Sequence, residues 1–560
     1  MKLTHRLCLA LILLLTAGGC ERESASSSKL AAGVVITNVS VPATCVQGDT
    51  VPVVVTLENR GDQQQTFEVT LTDRTDGREI GRRSFTLSPR DRREKDAALV
   101  LTGDNVGDRF GAWLNVGEVN GDGYDDFLVS ATFSNNEQGR ACIYFGGRDM
   151  GYKAGRIFDG EATGDHFGDG GGYLADMNND GFDDVIIGAT AHNNRGKVYL
   201  FWGGPDMDEK ADLTFEPEEQ EMNCLFGREL AVGDLNGDGY KDLIVSAPGF
   251  DNYRGRAYLF YGGSPFDTSI DRTFTGENSG DLFSHTVCAR GDVDADGCDD
   301  LLTGTRFWPG GRKRGRAYLF YGGPEKTMDT VCDLYFYAES SGDELGSGVD
   351  LFDVDKDGYA DVIIGARRWN RDQGRVYLYW GDKRTAMENI ADLRFDGEID
   401  AKSEFGSGSV HCGYVNKDEY GDIIIPAFDY YQYSKQGRAY LYYGNMKASM
   451  DTISEHTFTP DSTQNLAWTA KIGDFNGDGY GDILLGGCFY NNDQGRCWLW
   501  YGGPESSTDI TFNWDTTTAT PGKHTLRATI APVAVEEDTA DNSMTVEVEV
   551  KERSGSVNKE

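Results

Sequence analysis

The residues with the plainest chemistry are oxygen-bearing side chains set at alternate positions around a glycine. In Asp234-Leu235-Asn236-Gly237-Asp238-Gly239-Tyr240-Lys241-Asp242, such oxygens fall at positions 1, 3, 5 and 9, with glycine at position 6. Alternate residues of a loop like this point inward, the glycine permits a sharp turn, and the Tyr240 carbonyl at position 7 adds another donor. An all-oxygen donor set suits a hard divalent cation, here Ca2+. A helix-flanked calcium loop would carry a bidentate Glu at position 12, but that position is Val245, inside the apolar run Leu243-Ile244-Val245. The loop therefore leads into a strand and sits on a β-hairpin.

The pattern occurs seven times, starting at Glu118, Asp176, Asp234, Asp292, Asp353, Tyr414 and Asp474, with spacings of 58, 58, 58, 61, 61 and 60 residues. Six copies hold a full donor set. Besides their first residues these are Asn120, Asp122, Tyr124 and Asp126; Asn178, Asp180, Phe182 and Asp184; Asn236, Asp238, Tyr240 and Asp242; Asp294, Asp296, Cys298 and Asp300; Asp355, Asp357, Tyr359 and Asp361; and Asn476, Asp478, Tyr480 and Asp482. Tyr, Phe and Cys at position 7 would offer their backbone carbonyls. Glu118 is a longer arm that still reaches. The sixth copy keeps Asn416, Asp418 and Asp422 but has Tyr414 at position 1 and Glu419 in place of the glycine, so it is degenerate. About six calcium sites are expected, the seventh weak or absent.

A fixed period near 60 residues signals stacked units, none able to bury its faces alone. Each unit has four strand-like runs. In the third they are 226–232, Leu243–Ser246, Arg256–Tyr261 and Thr273–Thr275. The second and third runs are apolar on both faces, as in sheets covered on both sides. Four strands per unit, seven units and two-sided burial predict an all-β fold, a seven-bladed β-propeller over residues 97–507. Leu99–Thr102 is assigned to the last blade, because a run of that kind precedes every unit and one is left over at the start.

The Phe-Gly pairs 110–111, 167–168, 226–227 and 405–406, with Gly188-Ala189-Thr190, Ser246-Ala247-Pro248 and Gly365-Ala366-Arg367, resemble the FG-GAP repeats of the integrin α-subunit propeller. The resemblance implies calcium loops on one face of the ring and ligands on the other. No inserted metal-dependent adhesion domain interrupts the repeats, so ligand binding through such a domain is not implied.

The flanks read as one further domain. Residues 31–96 hold four alternating runs and residues 508–552 three more, including Ile510–Trp514, which makes seven, the count of an immunoglobulin-like sandwich. Asn59-Arg60-Gly61, Phe512-Asn513-Trp514, Pro521-Gly522-Lys523-His524 and Asp541-Asn542 resemble the bacterial adhesion-related (CARDB-type) Ig-like domain. The expectation is a propeller inserted into an Ig-like domain, with a tail at 553–560.

Residues 1–20 read as an export signal: Lys2 and Arg6, the apolar run Leu7–Leu15, then small residues and Cys20. Thr16-Ala17-Gly18-Gly19-Cys20 resembles a lipobox with Cys20 as the lipidated residue. Ala17 departs from the usual Leu, which leaves cleavage by an ordinary signal peptidase as the alternative. Glu21 implies an outer-membrane or surface location, and 21–30 serves as a linker. Net charge is −38, and 26 of the 91 acidic residues lie in the seven loops, so much of the charge is cation-binding capacity. Nucleic acid is excluded as a partner for want of Lys/Arg patches.

Nine cysteines remain after Cys8 and Cys20, without metal-type spacing. Cys488 and Cys497 could form a cross-strand disulfide or stay as buried thiols. Arg60-Gly61-Asp62 and Arg290-Gly291-Asp292 spell an adhesion tripeptide, but Gly61 serves a turn and Asp292 a calcium loop. The run at 440–443 repeats in every blade and reads as core, whereas Asp429-Tyr430-Tyr431-Gln432-Tyr433 could form an exposed binding patch. Seven scattered histidines form no HExxH motif and no serine or cysteine is paired with a base by motif, so no catalytic residue is assigned. The preferred function is a calcium-binding, non-catalytic surface lipoprotein that binds an extracellular protein or polysaccharide. The alternatives are a glycan-active enzyme and a scaffold of an envelope complex.

Overall fold

The computed structural model describes residues 34–40, 44–46, 50–59, 65–76, 78–87, 97–148, 150–151, 153–218, 221–398, 403–408, 410–428, 437–459, 468–502, 507–515, 519–530 and 543–551. Cys20, the signal and linker segments, the tail, Arg60-Gly61-Asp62 and the aromatic cluster at 429–433 lie outside these residues. The chain divides into two compact units, Met1–Arg92 with Pro504–Glu560, and Arg93–Gly503. No described helix is long and apolar enough to cross a membrane.

The second unit is all-β and propeller-like, with seven four-stranded antiparallel sheets among the described residues. Sheet three shows the pattern: Leu230–Gly233, Asp242–Ala247, Arg256–Phe260 and Arg272–Thr275, each paired to the next. Its second strand is buried along its whole length, as are the second strands of the other six sheets. That is why those strands lack polar–apolar alternation: both faces pack against neighbouring sheets. Layers such as Phe226, Leu243, Tyr258 and Phe260 with Met177, Ile186 and Phe215 fill the space between sheets two and three.

The first strand starts at the motif in sheets one, two and five (Phe110–Gly117, Phe167–Ala175 and Leu345–Phe352) and after it in the other four, as in Leu230–Gly233. Whether or not it lies within the strand, the first residue of the motif also reaches sideways in five units. Phe167, Phe226, Leu345 and Phe405 each form a parallel bridge with the glycine that opens the third strand of the preceding sheet: Gly139, Gly196, Gly315 and Gly374. Phe110 does the same with Gly495 of sheet seven. A Cβ on Gly495, at φ +84°, would sit 2.0 Å from the Phe110 carbonyl oxygen, so only glycine fits this approach. Sheet seven takes its outer strand from the start of the unit: Leu99–Thr102 pairs with Arg496–Trp500.

The first unit has two sheets. Val34–Ser40, Thr50–Asn59 and Ser507–Asp515 form one; Thr44–Val46, Ser543–Lys551, Gly522–Ile530, Gln65–Asp73 and Arg78–Leu87 form the other. Segments from the two ends of the chain pair directly, Thr50–Asn59 with Ser507–Asp515 and Gln65–Asp73 with Gly522–Ile530. Eight strands appear where the sequence suggested seven. The addition is the three-residue Thr44–Val46, too short for its pattern to show, which pairs in parallel with Ser543–Lys551. Val39, Val53, Val55, Val69, Leu71, Leu526, Ala528 and Val550 are buried within this unit.

Candidate metal loops and central cavity

All seven acidic loops connect the first and second strands of their sheets. Their fold is set by the same side chains that could hold a cation. The position 1 carboxylate accepts backbone N–H groups from positions 5 and 6, as when Asp234 accepts from Asp238 at 3.1 Å and Gly239 at 2.8 Å. Asp176, Asp292, Asp353 and Asp474 repeat this, and Glu118 reaches Gly121 at 2.6 Å and Gly123 at 3.1 Å. Positions 3 and 5 accept from N–H groups two residues on, as Asn236 and Asp238 do at 2.9 Å, except Asp294 at position 3 of the fourth loop.

Position 9 has a second task that the spacing did not reveal. One oxygen of Asp242 accepts the N–H of Leu235 at 2.8 Å, and the other that of Gly262, past the third strand, at 2.7 Å. Asp126, Asp184, Asp300, Asp361, Asp422 and Asp482 make the same two bonds in their own sheets. Each thus ties the loop to the far end of strand three. Burial pushes Asp126, Asp184, Asp242 and Asp422 up to about 7 and Asp482 to about 8, although the two N–H donors pull the other way. Position 2 is Val119, Met177, Leu235, Val293, Val354, Val415 or Phe475, buried in every copy and anchoring the loop from below.

Carboxylate oxygens converge most closely in the fourth and fifth copies, where Asp292, Asp294 and Asp300, and Asp353, Asp355 and Asp357, lie within 4.8 Å of one another. Asp294 Oδ1 is buried and without a hydrogen-bond partner among the described residues. An unpartnered carboxylate oxygen inside an all-oxygen set fits a hard cation. The fourth loop also carries a feature that sequence reasoning missed. Arg384, from the loop after the third strand of sheet five, places Nε 2.6 Å from Asp294 and Nη2 3.2 Å from Asp296. A guanidinium therefore shares two of the expected ligands there.

The sixth loop departs as its sequence implied. Position 4 is left-handed in every copy, but position 6 only in the six with glycine; Glu419 is not. Glu419 pairs with Lys356 of the fifth loop instead. Tyr414 is 54% exposed, and the Lys417 ammonium lies 3.9 Å from the Tyr480 ring centre and 2.5 Å from the Asp478 carbonyl oxygen. Asp422 still makes both of its backbone bonds.

Neighbouring loops are joined. Asp183 Oδ2 accepts the N–H of Glu118 at 2.8 Å, Asp299 Oδ2 that of Asp234 at 2.7 Å, and Asp125 Oδ2 that of Asp474 at 2.7 Å. The last of these links the first loop to the seventh.

The first strands surround a cavity of about 640 Å³. In its lining, Arg290 forks onto Asp350, with Nε 2.8 Å from Oδ1, and also donates to the Cys412 carbonyl at 3.0 Å. Arg290-Gly291-Asp292 is thus divided between the cavity and the fourth loop and is not displayed as a tripeptide. Burial, with Arg290 nearby, lowers Lys471 to about 8, and burial raises Glu229 to about 8. Cys288 is pushed up to about 12 by burial. Cys488 and Cys497 are free and buried, with no disulfide between them. Tyr440, Leu441 and Tyr442 are buried in the core.

The model of the FG-GAP repeat matches residues 110–144, 172–201, 226–260 and 345–379. The chain carries FG-GAP repeats. Each matched segment spans a first strand or part of it, the acidic loop, and the second and third strands. Human phosphatidylinositol-glycan-specific phospholipase D is 26% identical over 356 residues, 56% of this chain and 42% of that protein. Integrin alpha-5 and alpha-4 of Xenopus laevis are 32% and 30% identical over 28% and 33% of this chain, and 17% and 18% of their own lengths. The chain therefore spans less than half the length of these relatives. A solved structure described as the Dos1 propeller covers 84% of this chain and 90% of that one, at 10% identity and a TM-score of 0.39. The integrin and phospholipase relatives and the FG-GAP repeats agree with an FG-GAP β-propeller.

Proposed function

We propose that the FG-GAP unit is a seven-bladed, calcium-stabilised propeller that binds an extracellular protein or polysaccharide, carried by an exported surface lipoprotein anchored through Cys20. The observation that carries this reading is the repeated acidic loop, folded alike in six of the seven sheets, with the first joined to the second and to the seventh. Calcium would be held by side-chain oxygens at positions 1, 3, 5 and 9 and the carbonyl at position 7. Bound there, it offsets the crowded carboxylates and stiffens the hairpins. The first unit reads as an Ig-like sandwich built from both ends of the chain, supported by its two sheets and the cross-pairing of N- and C-terminal segments.

The integrin relatives support ligand binding and a cell-surface setting. The phospholipase D relatives keep an enzyme in view as the second reading. Burial holds the cavity thiols of Cys288 and Cys412 protonated, so neither would serve such an enzyme as a nucleophile. The test is calorimetric titration of the chelated chain with Ca2+, then a protein and glycan array with and without the ion. Saturable Ca2+ uptake and calcium-dependent capture are expected. A chain that takes no Ca2+, or that hydrolyses arrayed glycan, overturns the reading.

A further inference from the structure

One end of the cavity is cationic in a chain with 91 acidic and 53 basic residues. Arg306 and Arg367 directly follow the second strands Asp300–Thr305 and Asp361–Ala366, whose first residues belong to the acidic loops. A six-residue strand spans roughly 20 Å, so both arginines stand at the opposite end from the loops. Arg228 and His285, just before the first strands of sheets three and four, line the same cavity.

These cations are unevenly matched. Arg367 is held by Glu344 at 2.9 Å and Glu404 at 3.3 Å, and Arg368 adds its own charge beside the same pair. Arg306 has no carboxylate within ion-pair distance among the described residues, and its buried Nε has no acceptor. Arg228 Nη1 and His285 Nδ1 are likewise buried without hydrogen-bond partners. The carboxylate nearest Arg228 is Glu229, at 3.9 Å. Burial holds His285 neutral, aided by Arg306, Arg228 and Arg367, and lowers Arg306 to about 10, with Arg367 contributing. Buried donors without acceptors are costly, and natural folds keep them where something else supplies the acceptor.

Beside the arginines stands an aromatic wall. The Arg228 guanidinium lies 4.9 Å from the Trp113 ring centre, Trp113 meets Trp468 edge-on at 6.5 Å, and Trp468 packs on Phe428 at 4.9 Å. Trp113 and Trp468 both line the cavity and are only partly buried. Flat indole faces suit the apolar face of a sugar ring, and guanidinium forks suit a carboxylate. A cavity of about 640 Å³ lies in the range that holds a small ligand.

We propose that this end of the cavity binds a uronic acid residue of an acidic glycan, with its carboxylate on Arg306 and Arg228 and its ring against Trp113 and Trp468. The assignment deepens the ligand-binding reading above and rests on it. The unpartnered His285 Nδ1 would meet a ring hydroxyl, which can accept from or donate to a neutral imidazole.

The test is titration of the calcium-loaded full chain with a glucuronate disaccharide, its neutral glucose counterpart, inorganic sulfate and an acidic peptide. Saturable binding of the glucuronate alone is expected, weakened about tenfold or more by Arg306→Met, the loss of one charge-assisted hydrogen bond. The free variant should melt no lower than the parent, because an unmatched buried cation does not hold the fold together. A lowered melting temperature makes Arg306 structural and overturns the assignment. Equal binding of sulfate or of the neutral sugar overturns it too, and preference for the acidic peptide replaces the glycan with a protein. A chain that takes calcium but ignores glucuronate undoes this inference alone, whereas one that takes no calcium undoes the reading beneath it.

Discussion

Asp125 Oδ2 accepts the backbone N–H of Asp474 at 2.7 Å, across 349 residues of sequence. On the same edge, the Asp125 N–H donates to the Asp474 carbonyl at 3.2 Å. The first and last acidic loops are thereby joined as the second is to the first. Asp125→Ala would leave the Asp474 N–H without an acceptor, a loss of about 1–3 kcal/mol. Hydrogen exchange should quicken first in Thr469–Gly473 and Phe110–Gly117, ahead of the sheets opposite. Uniform quickening over all seven sheets would show that this bond is no special fastening.

Chelation should lower the melting temperature of the FG-GAP unit, with excess Ca2+ restoring it; at a hundredfold excess over Kd a single site contributes about 2.7 kcal/mol. Asp353→Asn should remove one ion from the stoichiometry. Arg384→Gln should tighten the fourth site, because it withdraws a guanidinium from Asp294 and Asp296. Weaker binding in that variant would make Arg384 a support of the loop rather than a competitor.

The double role of position 9 separates two variants. Asp422→Ala, in the degenerate loop, should lower stability on the order of 2–4 kcal/mol, since two backbone donors lose their acceptor. Its calcium count should not change. Asp242→Ala should lower both stability and count. Differential scanning calorimetry beside calcium titration distinguishes them, and equal calcium loss in both would restore the sixth loop as a binder.

His524 ties the two ends of the first unit together. Its Nδ1 lies 2.7 Å from Asp73 and its Nε2 2.6 Å from the Thr520 carbonyl. Burial alone would lower its pKa, but the Thr520 carbonyl and the Asp73 and Asp76 carboxylates outweigh it and raise the imidazole above 6.5. A raised histidine stabilises the fold fully below its ordinary value and loses that contribution as pH climbs through the folded one. Protection of the Gly522–Ile530 amides should therefore fall as pH rises above the ordinary histidine value of about 6.5. His524→Gln should flatten the profile, and an unchanged slope would assign it to other groups.

Much of this arrangement could be read in the chain because it repeats. Spacing gave the loops, two-sided apolar runs gave the second and third strands, and one surplus run placed Leu99–Thr102 in the last sheet. What stayed hidden was set by tertiary contact. Arg384 lies 90 residues beyond Asp294 and no local pattern joins them. The Phe-Gly motif bridges sideways because neighbouring sheets need a main-chain contact, a demand invisible within one repeat. That Arg306 and Arg367 meet in the cavity was hidden because they break the periodicity instead of following it: the position after the second strand is Thr132, Thr190, Pro248, Arg306, Arg367, Phe428 and Cys488 in turn. Thr44–Val46 is simply too short to carry a signature.

The pairing of Leu99–Thr102 with Arg496–Trp500, sealed by Arg496 Nε on Thr102 Oγ1 across 394 residues, also governs biogenesis. The piece that completes the last sheet is synthesised first and must wait for its partner, about 20–80 s at ordinary translation speed. Until then its backbone edge is open to pairing with the wrong neighbour. Truncations from the carboxyl side should accumulate as protease-sensitive, aggregating fragments up to the length that restores Trp500.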